Sequence, residues 1–188
     1  MWKWMSDWLH RVTSGWVALS ALAIFLLFSA LVLPGQTARS EANTGDAGSP
    51  DMSFYYSTDD LYHMAEVYGE QGREAYVRVR FTFDLIWPLV YTLFLGTAIS
   101  WVYGKAFTSD SRWQRANLVP VLGALFDYLE NLSTSVVMLR YPDRTAVVDS
   151  LAPVFTSVKW VLVAGSFVLL FAGVVVGMWR RARKSNKP

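Results

Sequence analysis

Cysteine is missing from this chain, and histidine nearly so, with two copies in 188 residues. The first absence removes disulfide scaffolding, thiol redox chemistry, thiolate metal sites and cysteine nucleophiles together. His10 and His63 fall in different segments, so a histidine metal centre or a multi-histidine hydrolase is not expected. No Walker loop, G-x-S-x-G, H-E-x-x-H or C-x-x-C occurs, so nothing points to nucleotide or metal chemistry, and no metal or cofactor is expected. Charge is also scarce: 17% of residues are charged against 53% hydrophobic, the balance of a membrane protein rather than of a soluble domain. The net charge of +2 matters less than its distribution, because five of the last nine residues are basic: Arg180, Arg181, Arg183, Lys184 and Lys187. That tail reads as a topogenic segment facing lipid headgroups, not as a nucleic-acid site.

What remains is a set of long apolar runs. Trp2, Trp4 and Trp8 interleaved with Lys3 and Arg11 predict a short amphipathic anchor in the interface. Residues 15–33 are nearly uncharged and long enough to cross a bilayer of roughly 30 Å. A cleaved signal peptide is the competing account; the run is long for one, and Gln36 before Ala38 fits a cleavage site poorly. Pro34 and Gly35 end the span. Residues 36–53, rich in Ser, Gly, Thr, Asn and Ala, predict a solvated, mobile linker. Ser57 followed by Asp59 and Asp60 then predicts a helix start, and Leu61, Met64, Ala65 and Tyr68 recur at helical spacing, giving an amphipathic helix over about 58–76 with breaks at Gly69 and Gly72. Further spans are expected at 81–103, 117–139 and 151–179. Gly173 and Gly177 add one weak helix-contact signal. The expected fold is all-α: one 188-residue four-helix membrane bundle, with an extracytoplasmic loop over 36–80 carrying the amphipathic helix.

The polar groups inside these runs are the candidate site. On a helix Asp127, Glu130 and Asn131 share one face, and Thr134 continues it. Each charge near a bilayer centre costs roughly 2.5–3.5 kcal/mol on insertion scales, so two carboxylates in one span must be protonated, paired or hydrated. In the second span Asp84, Pro88 and Tyr91 share a face, and the proline frees a carbonyl near Asp84 for another partner. Lys159 lies inside the fourth span. Arg78 and Arg80 lead into the second, where they either snorkel to headgroups or contact an anionic substrate.

Orientation connects these positions. The N-terminal arm, the 104–116 loop and the C-terminal tail hold ten Lys/Arg residues and the other two loops six, which puts both termini in the cytoplasm of an inner or plasma membrane protein. At about 1.5 Å per residue, Asp84 then lies roughly 5 Å below the outer boundary, and Tyr91, Glu130, Asn131 and Lys159 roughly 12–14 Å below it. A cavity open to the outside follows, lined by Asp84, Tyr91, Asp127, Glu130, Asn131, Thr134 and Lys159, with Arg78 and Arg80 at its mouth. The alternative is a buried ion pair of Lys159 with Glu130 or Asp127 that only fixes helix register.

Three functions compete for this arrangement. In the first, a lipid-like substrate is bound or modified, with Asp127 or Glu130 as general acid/base, Lys159 or Asn131 orienting, and Trp87, Tyr91 and Tyr128 lining an apolar channel. The second is a proton-coupled permease, and the third a structural subunit whose partner covers residues 54–80. Membrane lipids are expected partners, with a homo-oligomer or a partner subunit as further candidates. The layout, an acid at Asp84 one turn before Pro88 in the second of four spans, resembles the sterol-isomerase and sigma-2 receptor type of membrane bundle. The resemblance is one of layout; it implies the four-span arrangement and no activity.

Overall fold

Apolar runs with the backbone donors satisfied internally fold as helices, and the computed structural model, which describes residues 1–185, is helical in all its regular elements. Lys187 lies outside the described residues, as does the side chain of Lys184. In chain order the helices are α1 (Trp2–Val12), α2 (Gly15–Leu31), α3 (Leu33–Thr44), α4 (Thr58–Arg80), α5 (Phe83–Ala106), α6 (Val119–Arg140) and α7 (Val148–Ser185), with short 3-10 turns at Gly45–Ala47, Pro50–Met52 and Arg112–Leu118. Among the described residues three helical stretches are long and apolar enough to cross a membrane: Gly15–Ala47, Thr58–Ala106 and Val148–Arg183. These make it an integral membrane protein by length and composition. Helix α6, at 22 residues, has the length of a span but is not one of the three. Its polar face, Asp127, Glu130, Asn131, Ser133, Thr134 and Ser135, lowers its hydropathy.

The chain divides into two compact units, and α2, α5, α6 and α7 contribute residues to each. One, the arm unit, comprises Met1–Leu26, Val90–Leu122 and the described chain from Leu162 onward. Here α1 is tied down by polar contacts. The Ser6 hydroxyl donates to the Gln114 carbonyl (3.1 Å), and the Asn117 amide donates to the Ser6 carbonyl (3.2 Å) and the Ser100 hydroxyl (3.0 Å). The Gln114 side-chain amide reaches the carbonyls of Tyr103, Phe107 and Thr108, where α5 runs out of helical donors. Trp2, Trp4 and Trp8 stay exposed. Tyr103 donates to the Leu169 carbonyl (2.9 Å), a contact that requires glycine at 173: a Cβ there would lie 2.3 Å from the Tyr103 ring.

The other, the cluster unit, comprises Leu27–Leu89 and Gly123–Val161. Its apolar core joins one face of α4 (Leu61, Met64, Ala65, Tyr68, Tyr76) to Val137, Met138 and Ala152. Helix α4 begins where the sequence predicts, with a reciprocal cap: the Asp60 amide donates to the Ser57 hydroxyl, and the Ser57 amide donates to the Asp60 carboxylate. It runs further than predicted, to Arg80, and breaks at Gly69 (φ 62°, ψ −177°), a backbone region open essentially to glycine. The Arg73 guanidinium crosses the break to the Ala65 carbonyl (2.9 Å).

The expectation of a mobile linker over 36–53 is overturned. Helix α3 and the two 3-10 turns occupy most of it, and Thr44, Ser49 and Pro50 are buried. Local composition could not show the cause, which is a partner surface. The Asn43 carbonyl sits 2.8 Å from where a Cβ on Gly72 would be, so α3 packs directly on the α4 backbone, and the Tyr68 hydroxyl donates to the Gly48 carbonyl (2.6 Å).

Candidate functional site

Helical spacing places Asp127, Glu130, Asn131 and Thr134 on one face of α6, and in the cluster unit that face is buried, Glu130 and Thr134 completely. Lys159 of α7 answers it. Its ammonium forms an ion pair with Glu130 and lies 3.9 Å from Asp127, while Asn131 donates to the Asp127 carboxylate (3.5 Å). The Thr134 hydroxyl is spent on the Glu130 backbone carbonyl (2.9 Å).

Arg80, at the end of α4, binds the second half of the cluster. Its Nη2 donates to Asp51 (3.0 Å), its Nη1 to the Asn131 side-chain oxygen (3.4 Å), and its Nε lies 2.9 Å from Asp84 without hydrogen-bond alignment. The Tyr76 ring stacks under the guanidinium, 4.5 Å from its centroid. Arg80 is therefore not at a mouth, as the sequence suggested, but inside the cluster at 3% exposure. Anions on both sides of the guanidinium offset the cost of burying it. Arg78, two residues earlier, is exposed and makes no ion pair among the described residues.

Asp51 is the member that sequence reasoning missed, because it lies in the supposed linker. Burial raises its carboxyl, but the Arg80 guanidinium, the Lys159 ammonium and hydrogen bonds from Ser49 and Arg80 outweigh that and hold it down to about 2. Its side chain is the most exposed of the charged members, at 24%. Tyr56 closes the same end, hydrogen-bonded to Thr156 (3.0 Å), with its hydroxyl kept neutral by burial well above the ordinary tyrosine range. Tyr56, just beyond the supposed linker, is buried, whereas its neighbours Phe54 and Tyr55 are exposed.

The structure thus gathers Asp84, Asp127, Glu130, Asn131, Thr134, Lys159 and Arg80 in one unit and adds Asp51. Tyr91, buried, belongs to the arm unit. One carbonyl beside Asp84, that of Leu85, accepts the Tyr128 hydroxyl (2.9 Å), in the turn that Pro88 interrupts. The gathered charged side chains are paired with one another and, Asp51 apart, buried. Four carboxyl groups meet two cations, and among the described residues the Tyr76 hydroxyl, Arg80 Nε, Asp84 Oδ2 and both Glu130 carboxylate oxygens are buried without an aligned hydrogen bond, Arg80 meeting Asp84, and Glu130 meeting Lys159, as ion pairs. No set of three metal-ligating side chains occurs among the described residues. Comparison with family models, curated proteins and solved structures finds no match to this chain.

Proposed function

We propose that this is a four-span inner or plasma membrane protein, termini cytoplasmic, whose buried carboxylate cluster exchanges protons and serves as a general acid/base site for a lipid-like substrate. The supporting observation is the imbalance of four carboxyls against two cations at less than a tenth exposure for all but Asp51. With every carboxyl ionised, two negative charges would stand uncompensated in a low dielectric, at several kcal/mol each, and a bound proton is the least costly remedy. Glu130 or Asp127 is the acid/base, Lys159 lies against both, Arg80 partners Asp51 and Asp84, and Asn131 orients. The substrate is lipid-like because the helices carrying these groups face outward with apolar side chains such as Leu85, Leu89, Leu125 and Leu132.

A second reading is a purely structural ion network, favoured by the fact that each carboxyl already touches a cation. Infrared difference spectra of the protein in lipid nanodiscs, titrated with pH, separate the two. Proton exchange gives a protonated-carboxyl band that Glu130→Gln or Asp127→Asn removes. A spectrum with no such band in wild type, and variants that change only the melting temperature, would leave the structural network standing.

A further inference from the structure

The arm unit holds an open groove of about 800 Å³ between the C-terminal ends of α5 and α7, far in sequence from the acids discussed above. Its floor is apolar, made of Val102, Val174 and Met178 beside the small Ala106 and Gly177. Its rim carries four cations, Lys105, Arg180, Arg181 and Arg183, and no acid lines it. None of the four meets a carboxylate within ion-pair distance among the described residues. They are nonetheless positioned. The Lys105 ammonium lies 3.9 Å from the Trp101 ring centroid, Arg183 3.9 Å from that of Trp179, and Arg180 donates to the Ala106 carbonyl at the end of α5.

We propose that this groove binds one anionic phospholipid, its phosphate held by Lys105, Arg180, Arg181 and Arg183 and an acyl chain laid along Val102, Val174 and Met178. A tail that only sets topology needs the charges; it does not need an apolar trough beneath them or aromatic rings that fix the ammonium and guanidinium groups at its edge. Charge complementarity selects the anion, and the trough selects a lipid over a free phosphate. Two tryptophans at the rim match the level at which indole rings rest beside headgroups. Glycine at 177 keeps the trough open: a Cβ there would meet only Ala106 Cβ, at 3.8 Å, so larger side chains are tolerated at their first atom and would extend along the floor.

The test uses the purified full chain in detergent, titrated with phosphatidylglycerol or phosphatidylcholine and read by native mass spectrometry. Phosphatidylglycerol should be retained at least about tenfold more tightly than phosphatidylcholine. The double change Lys105→Gln and Arg183→Gln should cut that retention by about tenfold while leaving phosphatidylcholine alone, as expected for removing two charges near an anionic headgroup. Gly177→Leu should weaken phosphatidylglycerol with all charges intact, so that either variant reads the site if the other fails to fold. Equal retention of the two lipids, wild-type retention by both variants, displacement by inorganic phosphate, or a lipid-free dimer with the groove covered by a second copy would each overturn the proposal.

Discussion

Lys159 serves two carboxylates, and its loss would leave Glu130 buried with no cation in contact. Removing one partner of a buried pair costs about 3–5 kcal/mol, so Lys159→Met should lower stability by that order in detergent denaturation. The double variant Glu130→Gln with Lys159→Met should recover part of the loss, because no unpaired charge then remains at that contact. Asp51 gives a pH signature. Its folded value of about 2 lies below the ordinary carboxylate value, so its contribution is complete above about pH 4 and is lost as pH falls through about 2. That contribution is about 2 kcal/mol, and the melting-temperature gap between wild type and Asp51→Asn should close over that window. A gap independent of pH would mean that the Asp51 to Arg80 contact carries no such energy.

Among the elements, α4 is the one whose making and breaking can be read most directly. Ser57→Ala removes the hydroxyl half of its N-terminal cap and should cost about 1 kcal/mol. At Gly69 the backbone conformation excludes a Cβ whatever the space around it, and Gly69→Ala should cost about 1–3 kcal/mol although nothing lies within 4 Å of the added atom. Gly72→Ala fails for the opposite reason: its backbone is helical, but the Asn43 carbonyl stands in the way. Circular dichroism melts of the three variants, with Gly72→Ala alone loosening residues 36–53 to proteolysis, would tell cap, strain and collision apart.

For the molecule as a whole, the distribution of basic residues predicts both termini on one side, and the absence of native cysteine makes this simple to check. A single cysteine introduced as Ala42→Cys should react with an impermeant maleimide in intact cells, and one introduced as Ser109→Cys only after permeabilisation. Both positions are exposed. The reverse pattern would invert the proposed topology and place the acidic cluster near the cytoplasmic face.

Composition and period alone determined that this chain is helical and membrane-embedded, because bilayer thickness and the 3.6-residue repeat act on local sequence. They also determined that Asp127, Glu130, Asn131 and Thr134 share a face and that Ser57 starts a helix. Only tertiary structure decided that Asp51 joins them, that Arg80 turns inward, and that residues 36–53 are ordered, since each depends on a surface supplied by distant residues: Arg80 and Asp51 meet across 29 positions, and Tyr68 reaches Gly48 across 20. Local sequence records a segment's own preferences. Which distant charge or bare backbone it will meet is settled when the chain closes on itself.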